Sequence, residues 1–272
     1  MGRMDPARRL FHLVTVKDPP PPPPVGGGRG SEVDEASDSQ WLGRMGGRLD
    51  FAGKSVLDVG CSGGSLCIRA AREGAASVTG VDLEVDYARG FIAESAPEVA
   101  DKVDYVETKG DLAELADRKF DLVISKDSME HYPEPERFID LIVGLVAPGG
   151  ELAIGFSPLW KSPKGGHIDY MTRLPWAHLL FPEKTIMAER VRFRPDDPAE
   201  SFATVQGGLN KMTLRRFEAI MAAAGVEPVF RATDPGERPV LRAMREIARV
   251  PPLREYFTVG IYTIWRKPGG DT

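Results

Sequence analysis

Cysteine is scarce. Only Cys61 and Cys67 occur in 272 residues, which leaves no disulfide framework and no cysteine-built zinc site to organise the chain. No apolar run reaches the ~18 residues that a membrane-spanning helix needs. The stretch from Leu10 to Val16 is short and broken by His12, so it lacks the core of a signal peptide. Positive charge is not in excess either, since the formal net charge is −5. A general nucleic-acid surface needs Lys and Arg to neutralise phosphates. The clusters Arg190-Val191-Arg192-Phe193-Arg194 and Arg215-Arg216 are too short for one, and read as solvated faces or contacts to a carboxylate. No internal repeat is present. With 42% hydrophobic residues the chain can bury a large core. These features predict a cytoplasmic globular protein with neither membrane nor nucleic acid as partner; its oligomeric state is left open, a dimer included.

Composition divides the chain near residue 37. Pro19 to Pro24 is an unbroken proline run, and Gly26-Gly27-Gly28-Arg29-Gly30 follows it. Prolines stiffen such a segment into polyproline II and glycines loosen it, so residues 1–37 are expected to be a disordered arm. The alternative is an arm laid over the active site or a neighbouring subunit, anchored by Phe11, Leu13 and Val14. From Gln40 onward, apolar strand patterns alternate with helical ones, as in a parallel sheet with helices on both faces. Strands are expected at about 55–59, 77–82, 103–107, 121–125, 151–156 and 226–232, with a last, antiparallel one within 256–266. Two segments exceed such a sheet. One, 157–212, holds Trp160, His167, Tyr170, Trp176, His178 and Phe181, and long loops beyond a sheet's carboxyl edge are commonly lids or substrate walls. The other, 233–255, contains an amphipathic helical pattern and is expected to serve packing.

The most informative stretch is Val56-Leu57-Asp58-Val59-Gly60-Cys61-Ser62-Gly63-Gly64-Ser65-Leu66. An apolar strand runs into a glycine-rich turn and then a helix, which brings backbone N–H groups and a helix N-terminus to a ligand at the sheet edge. Gly60 and Gly64, lacking Cβ, are expected to leave room for that ligand. The dinucleotide fingerprint G-x-G-x-x-G would need glycine at Ser62 and Ser65, so a nicotinamide or flavin cofactor is disfavoured. The run instead resembles the first motif of class I S-adenosylmethionine-dependent methyltransferases, an acidic residue followed by G-x-G-x-G. Asp58, Gly60 and Gly64 match it; Ser62 replaces the middle glycine and must keep φ negative or carry strain. Further matches follow in order: Asp82-Leu83, then Gly110-Asp111-Leu112, then Phe120 to Ser125 leading into Met129-Glu130-His131-Tyr132, then Ala147-Pro148-Gly149-Gly150. The resemblance spans roughly 40 to 230. It implies a seven-stranded, mostly parallel sheet, with the last strand antiparallel and inserted between the fifth and sixth, in a three-layer sandwich. It implies S-adenosylmethionine as cofactor: Asp82 on the ribose, Leu83 against adenine, Asp111 on the adenine amino group with Leu112 beside it. The Gly60–Gly64 turn, with Asp58 and Ser62, would hold the methionine end, and Lys126 would contribute through its backbone.

Methyl transfer from a sulfonium requires alignment, exclusion of water and, for a hydroxyl acceptor, removal of a proton. Histidine titrates in the useful range. His131 leaves the fourth strand at the sheet edge and is the leading candidate base. His167, in Gly165-Gly166-His167-Ile168-Asp169, is the second, with Asp169 able to orient it. Trp160, Tyr170 and Trp176 are candidates for the acceptor wall. Asp127 and Glu130 sit where some relatives bind Mg²⁺, but no downstream acidic partner accompanies them, so no metal is expected. The reading is methyl transfer to a hydroxyl, less readily an amine, of a small molecule such as a sugar or secondary metabolite. Two alternatives stand beside it: a non-catalytic regulatory subunit that binds the same cofactor, which a missing acidic residue at 58, 82 or 111 would favour, and a methyltransferase acting on protein or RNA, which a basic face beside the pocket would favour.

Overall fold

A computed structural model describes residues 5–18, 32–233 and 238–269. The proline and glycine runs at 19–30 lie outside the described residues.

Seven strands form one sheet: β1 (Ser55–Val59), β2 (Ser77–Asp82), β3 (Val103–Glu107), β4 (Phe120–Lys126), β5 (Val146–Phe156), β6 (Glu227–Thr233) and β7 (Ile261–Arg266). Their order is β3-β2-β1-β4-β5-β7-β6. Every pair is parallel except those made by β7, which runs antiparallel between β5 and β6. This is the sheet expected from the sequence. β1 and β4 lie at its centre, and apart from Asp58 and Ser125 their buried residues are apolar on both faces because both faces are covered.

The helices, in chain order, are α1 (Pro6–Val14), α2 (Glu32–Arg44), α3 (Ser65–Arg72), α4 (Asp86–Ser95), α5 (Pro135–Leu145), α6 (Ala177–Leu180), α7 (Glu183–Arg190), α8 (Leu214–Ala223), α9 (Pro239–Ala248) and α10 (Arg254–Phe257). Alternation along the strands divides the core in two. Leu57, Val123 and Ile154 pack with α5 and α8 through Ile139, Ile142 and Phe217. Val56, Leu122 and Ile124 face the other way, onto Trp41 of α2 and Met45 just after it, Cys67 of α3 and Ile92 of α4. Thr213 caps α8, its side chain accepting from the Arg216 N–H.

Three boundaries depart from expectation. Strand β5 begins at Val146, so Pro148-Gly149-Gly150 lies inside it, at a register shift between Phe120 and Leu122. Gly149 takes φ +78°, and a Cβ at Gly150 would approach the Ala147 and Asp121 carbonyl oxygens to 3.0 Å. The folded domain also starts earlier than residue 38. Helix α2 begins at Glu32, and its Trp41 is buried with Nε1 donating to the Gly155 carbonyl at 2.9 Å. Disorder does not hold for residues 5–18 either. Helix α1 buries Phe11 among Ile168, Met171, Ile186 and Phe193 of the insertion, a third apolar cluster. Leu13 is 78% exposed and anchors nothing. One aromatic ring on an amphipathic turn is enough to dock the segment once the insertion offers an apolar socket, and that socket is a tertiary feature.

Candidate active site

A cleft of about 980 Å³ opens at the carboxyl ends of β1, β2 and β4, the position at which ligands bind doubly wound sheets. Its floor is the β1–α3 loop. Ser62 takes φ +48°, so the serine at the middle-glycine position accepts left-handed strain rather than avoiding it. Leu112 and Asp127, also in the cleft wall, take φ +55° and +47°. Strain of this kind persists where the surroundings hold the backbone, and it gathers at binding sites.

The two glycines serve a different purpose from the one expected. Each has positive φ, but a Cβ on Gly60 would fall 2.3 Å from Ser128 Oγ, and one on Gly64 would fall 2.1 Å from Tyr105 Oη. They make room for neighbouring side chains, which lets the β4 loop and β3 close on the turn. Gly60 still lines the cleft; Gly64 does not.

Asp82 stands at the end of β2 with its carboxylate in the cleft wall. Oδ2 accepts from the Ser62 N–H and Oδ1 from the Leu83 N–H, each at 2.7 Å. Leu83 (63% exposed), Thr108, Gly110 and Leu112 continue the wall. Asp111 does not join them. It is exposed, and its Oδ1 accepts from the Ala113 N–H at 3.2 Å, so the carboxylate is used in its own turn. A short Asp two residues before a free N–H closes an Asx turn readily, and that local bond competes with a role in the cleft.

Beside the loop lies a buried charge cluster that motif spacing does not reveal. Lys126 Nζ pairs with Asp38 Oδ1 at 2.5 Å, and Asp38 comes from α2, far away in sequence. Asp58 is buried next to them, and its pKa is pushed up to about 7, mainly by desolvation, then by the Asp38 carboxylate, with Lys126 opposing. Asp38 Oδ2 and Asp58 Oδ1 are buried with no hydrogen-bond partner, and both residues line the cleft. Carboxylate oxygens without donors suit an ammonium group, and Lys126 suits a carboxylate. The methionine end of S-adenosylmethionine supplies both, so the residues present fit that cofactor. Lys126, expected to serve only through its backbone, thus has its side chain in the cleft wall, paired with Asp38.

Another stretch of the cleft wall comes from the segment after β4, with His131 and Tyr132, and from the return limb of the insertion. His131 Nδ1 lies 2.7 Å from the Gly208 carbonyl oxygen and 3.2 Å from that of Gly207. A carbonyl oxygen can only accept, so Nδ1 carries the proton, and in the neutral ring Nε2 holds the free lone pair. Asn210 Nδ2 donates to the Met129 and Tyr132 carbonyls at 2.8 and 2.9 Å, and Tyr132 Oη bonds Ser125 Oγ at 2.7 Å. Glu130 is buried beneath the turn, where desolvation raises its pKa to about 8.

His167 is not in the cleft wall. Its ring meets that of His131 edge-on at 5.9 Å, and its Nε2 is buried without a partner. Burial lowers its pKa to about 4. Asp169 lies 3.5 Å from Lys164 Nζ instead of orienting the ring.

The aromatic residues chosen for the acceptor wall are not brought to the cleft either. Trp160 packs edge-on against His178 and Phe202. Tyr170 packs on Phe193 under the Arg194 guanidinium. Trp176 Nε1 donates to the Lys161 carbonyl at 3.1 Å. Trp160 and Tyr170 pack against the insertion's own core, Trp176 packs edge-on against Phe257 of α10, and the insertion reaches the cleft through Ala203, Gly207, Gly208, Leu209 and Asn210. Aromatic richness drew attention to the insertion as a lid or substrate wall but could not say which face meets the ligand. Among the described residues, no group of three or more His, Cys, Asp and Glu is placed to hold a metal ion, and no helix is long and apolar enough to cross a membrane.

Fold and cleft together define a class I, Rossmann-like methyltransferase sheet with its cofactor cleft. Residues 57–154 match the family described as "Methyltransferase domain"; this part of the chain belongs to the S-adenosylmethionine-dependent methyltransferases. Among curated proteins, the chain is 38% identical over 125 residues to a ubiquinone biosynthesis O-methyltransferase of Neisseria meningitidis serogroup C, covering 45% of this chain and 51% of that protein. It is 42% identical over 125 residues to a protein of the same name from Xanthomonas oryzae pv. oryzae, covering 45% and 50%. The chain spans about half the length of the curated relatives it matches. Among solved structures, an S-adenosylmethionine dependent methyltransferase from Mesorhizobium loti aligns with TM-score 0.53 at 15% identity, over 84% of this chain and 98% of that one. The [4+2]-cyclase SpnF aligns with TM-score 0.54 at 20% identity, over 89% and 84%. At these identities the structural matches speak for the fold alone.

Proposed function

We propose that the chain transfers a methyl group from S-adenosylmethionine to a hydroxyl of a small, neutral molecule, with His131 as general base. The observation that carries this reading is the Nδ1–H of His131 bound to the Gly208 carbonyl at 2.7 Å, in the wall of the cofactor cleft. When bound, the cofactor supplies a methyl already activated by its sulfonium. The protein aligns the acceptor, excludes water and takes the hydroxyl proton. Asp82 accepts from the ribose hydroxyls, Asp38 and Asp58 take the ammonium, and Lys126 the carboxylate. Nε2 of His131 then receives the acceptor's proton, and the resulting imidazolium keeps its Nδ1–H on the Gly208 carbonyl throughout.

The acceptor side supports a neutral substrate. Tyr132, Pro133, Phe138, Ala203 and Leu209 give the cleft apolar surface beside His131. The O-methyltransferase names of the partial relatives favour oxygen over nitrogen as the acceptor atom. Incubating the protein with methyl-labelled S-adenosylmethionine and matched sets of phenols, alcohols and amines tests the reading. Label is expected in phenols or alcohols. Transfer confined to amines, or to protein or RNA in a mixed extract, would contradict it.

A further inference from the structure

Beside the His131 contacts, the return limb of the insertion is clamped to the Met129–His131 turn by Asn210. Asn210 uses its main-chain N–H on the Glu130 carbonyl at 2.9 Å and its side-chain NH₂ on the Met129 and Tyr132 carbonyls. Its own carbonyl accepts from Arg216 Nη1 at 3.0 Å. Arg216 is in turn held by a two-pronged pair with Glu136 of α5, at 2.8 and 2.9 Å. The amide orientation is unambiguous, because both Nδ2 partners are carbonyls and can only accept. Two and three residues before this clamp are the two carbonyls that bind His131. Gly207 and Gly208 present them with φ +81° and +63°, two consecutive left-handed residues that favour glycine. Gly208 N–H bonds the Val205 carbonyl at 2.7 Å, closing the same turn.

We propose that Asn210 is a positioning residue. By fixing the 205–210 limb on the turn it holds the Gly207 and Gly208 carbonyls against Nδ1 and so sets the His131 tautomer. This rests on the reading of His131 as base. Without the clamp, water can replace those carbonyls, and an imidazole in water populates both tautomers. The Nε2–H form cannot take the acceptor's proton at Nε2. The insertion therefore completes the base as well as covering the site.

The test is long-range ¹H–¹⁵N correlation on ¹⁵N-histidine-labelled protein at pH 8, with His131 assigned by its absence in His131→Gln. The wild type is expected to show a pyrrole-type Nδ1 and a pyridine-type Nε2. Asn210→Asp is isosteric but cannot donate to either carbonyl, and is expected to show mixed tautomers. Its kcat for a hydroxyl acceptor should fall about tenfold or more, with S-adenosylmethionine affinity within about twofold of wild type, a change of under ~0.5 kcal/mol. If Asn210→Asp does not fold, Asn210→Ser removes the same donors. An Nε2–H tautomer in the wild type, or an unaltered Nδ1–H tautomer in the folded variant, would overturn the proposal. Mixed tautomers with unchanged turnover would instead overturn the reading of His131 as base and leave the clamp standing.

Discussion

The Nδ1 of His131 donates a 2.7 Å hydrogen bond to the main-chain carbonyl of Gly208, 77 residues further along the chain. The bond joins the edge of the nucleotide-binding sheet to the insertion that covers it. It ties the tautomer of a cleft histidine to how that insertion is folded.

Asp82 carries the cofactor affinity in this account. Its two oxygens already accept the Ser62 and Leu83 N–H groups, so the carboxylate is held in place before ligand arrives. Asp82→Ala removes a charged hydrogen-bond partner, usually about 1.5–3 kcal/mol, or roughly ten- to a hundredfold in affinity. Calorimetry with S-adenosylmethionine and S-adenosylhomocysteine should show both losses together. Unchanged affinity in a folded variant would mean the ribose lies elsewhere.

Glu130 makes stability depend on pH. Its carboxyl titrates at about 8 when folded, against 4.5 for an ordinary glutamate, because burial disfavours its charge. Between those values the folded state holds a proton that the unfolded state has released, so this residue's contribution falls as pH rises. Glu130→Gln cannot ionise. Its melting temperature relative to wild type should climb between pH 5 and pH 8 and level off above. A flat difference would show that the carboxyl is not buried as described.

Phe11 pins α1 to the insertion. Truncating a fully buried phenylalanine costs about 3–5 kcal/mol, and the loss here falls on the cluster of Phe11, Met171, Ile186 and Phe193. Phe11→Ala should speed amide exchange and proteolysis within 160–200 while leaving the central strands β1 and β4 protected. Uniform loss of protection would mean that the insertion and sheet unfold as one unit.

Much of the fold could be read from the sequence, for a physical reason. Parallel strands buried on both faces leave apolar runs bounded by turn residues, and β1, β2 and β3 fall at the expected residues, with β4 extended by one residue at each end. Asp58, Gly60, Ser62, Asp82, Leu83, Leu112, Lys126 and His131 all line the cleft, because short loops at a sheet edge have few places to go. Side chains that depend on tertiary context were less legible. Asp111 is taken by its own turn, Trp160 and Tyr170 pack on the insertion's own cluster, and Trp176 packs on Phe257. Asp38 and Asn210 carry no motif. Asp38 reaches the site only because Trp41, three residues on, packs α2 against the sheet, and Asn210 only because the insertion returns over the Met129–His131 turn.

Single-turnover methyl transfer by His131→Gln tests the account most directly, with wild type and variant saturated in S-adenosylmethionine and given a hydroxyl acceptor that turns over. Loss of a positioned general base should slow the step by about 10²–10⁴-fold while cofactor affinity stays as in wild type. A rate within about twofold of wild type, well short of what a general base contributes, would contradict the assignment of His131 as the base.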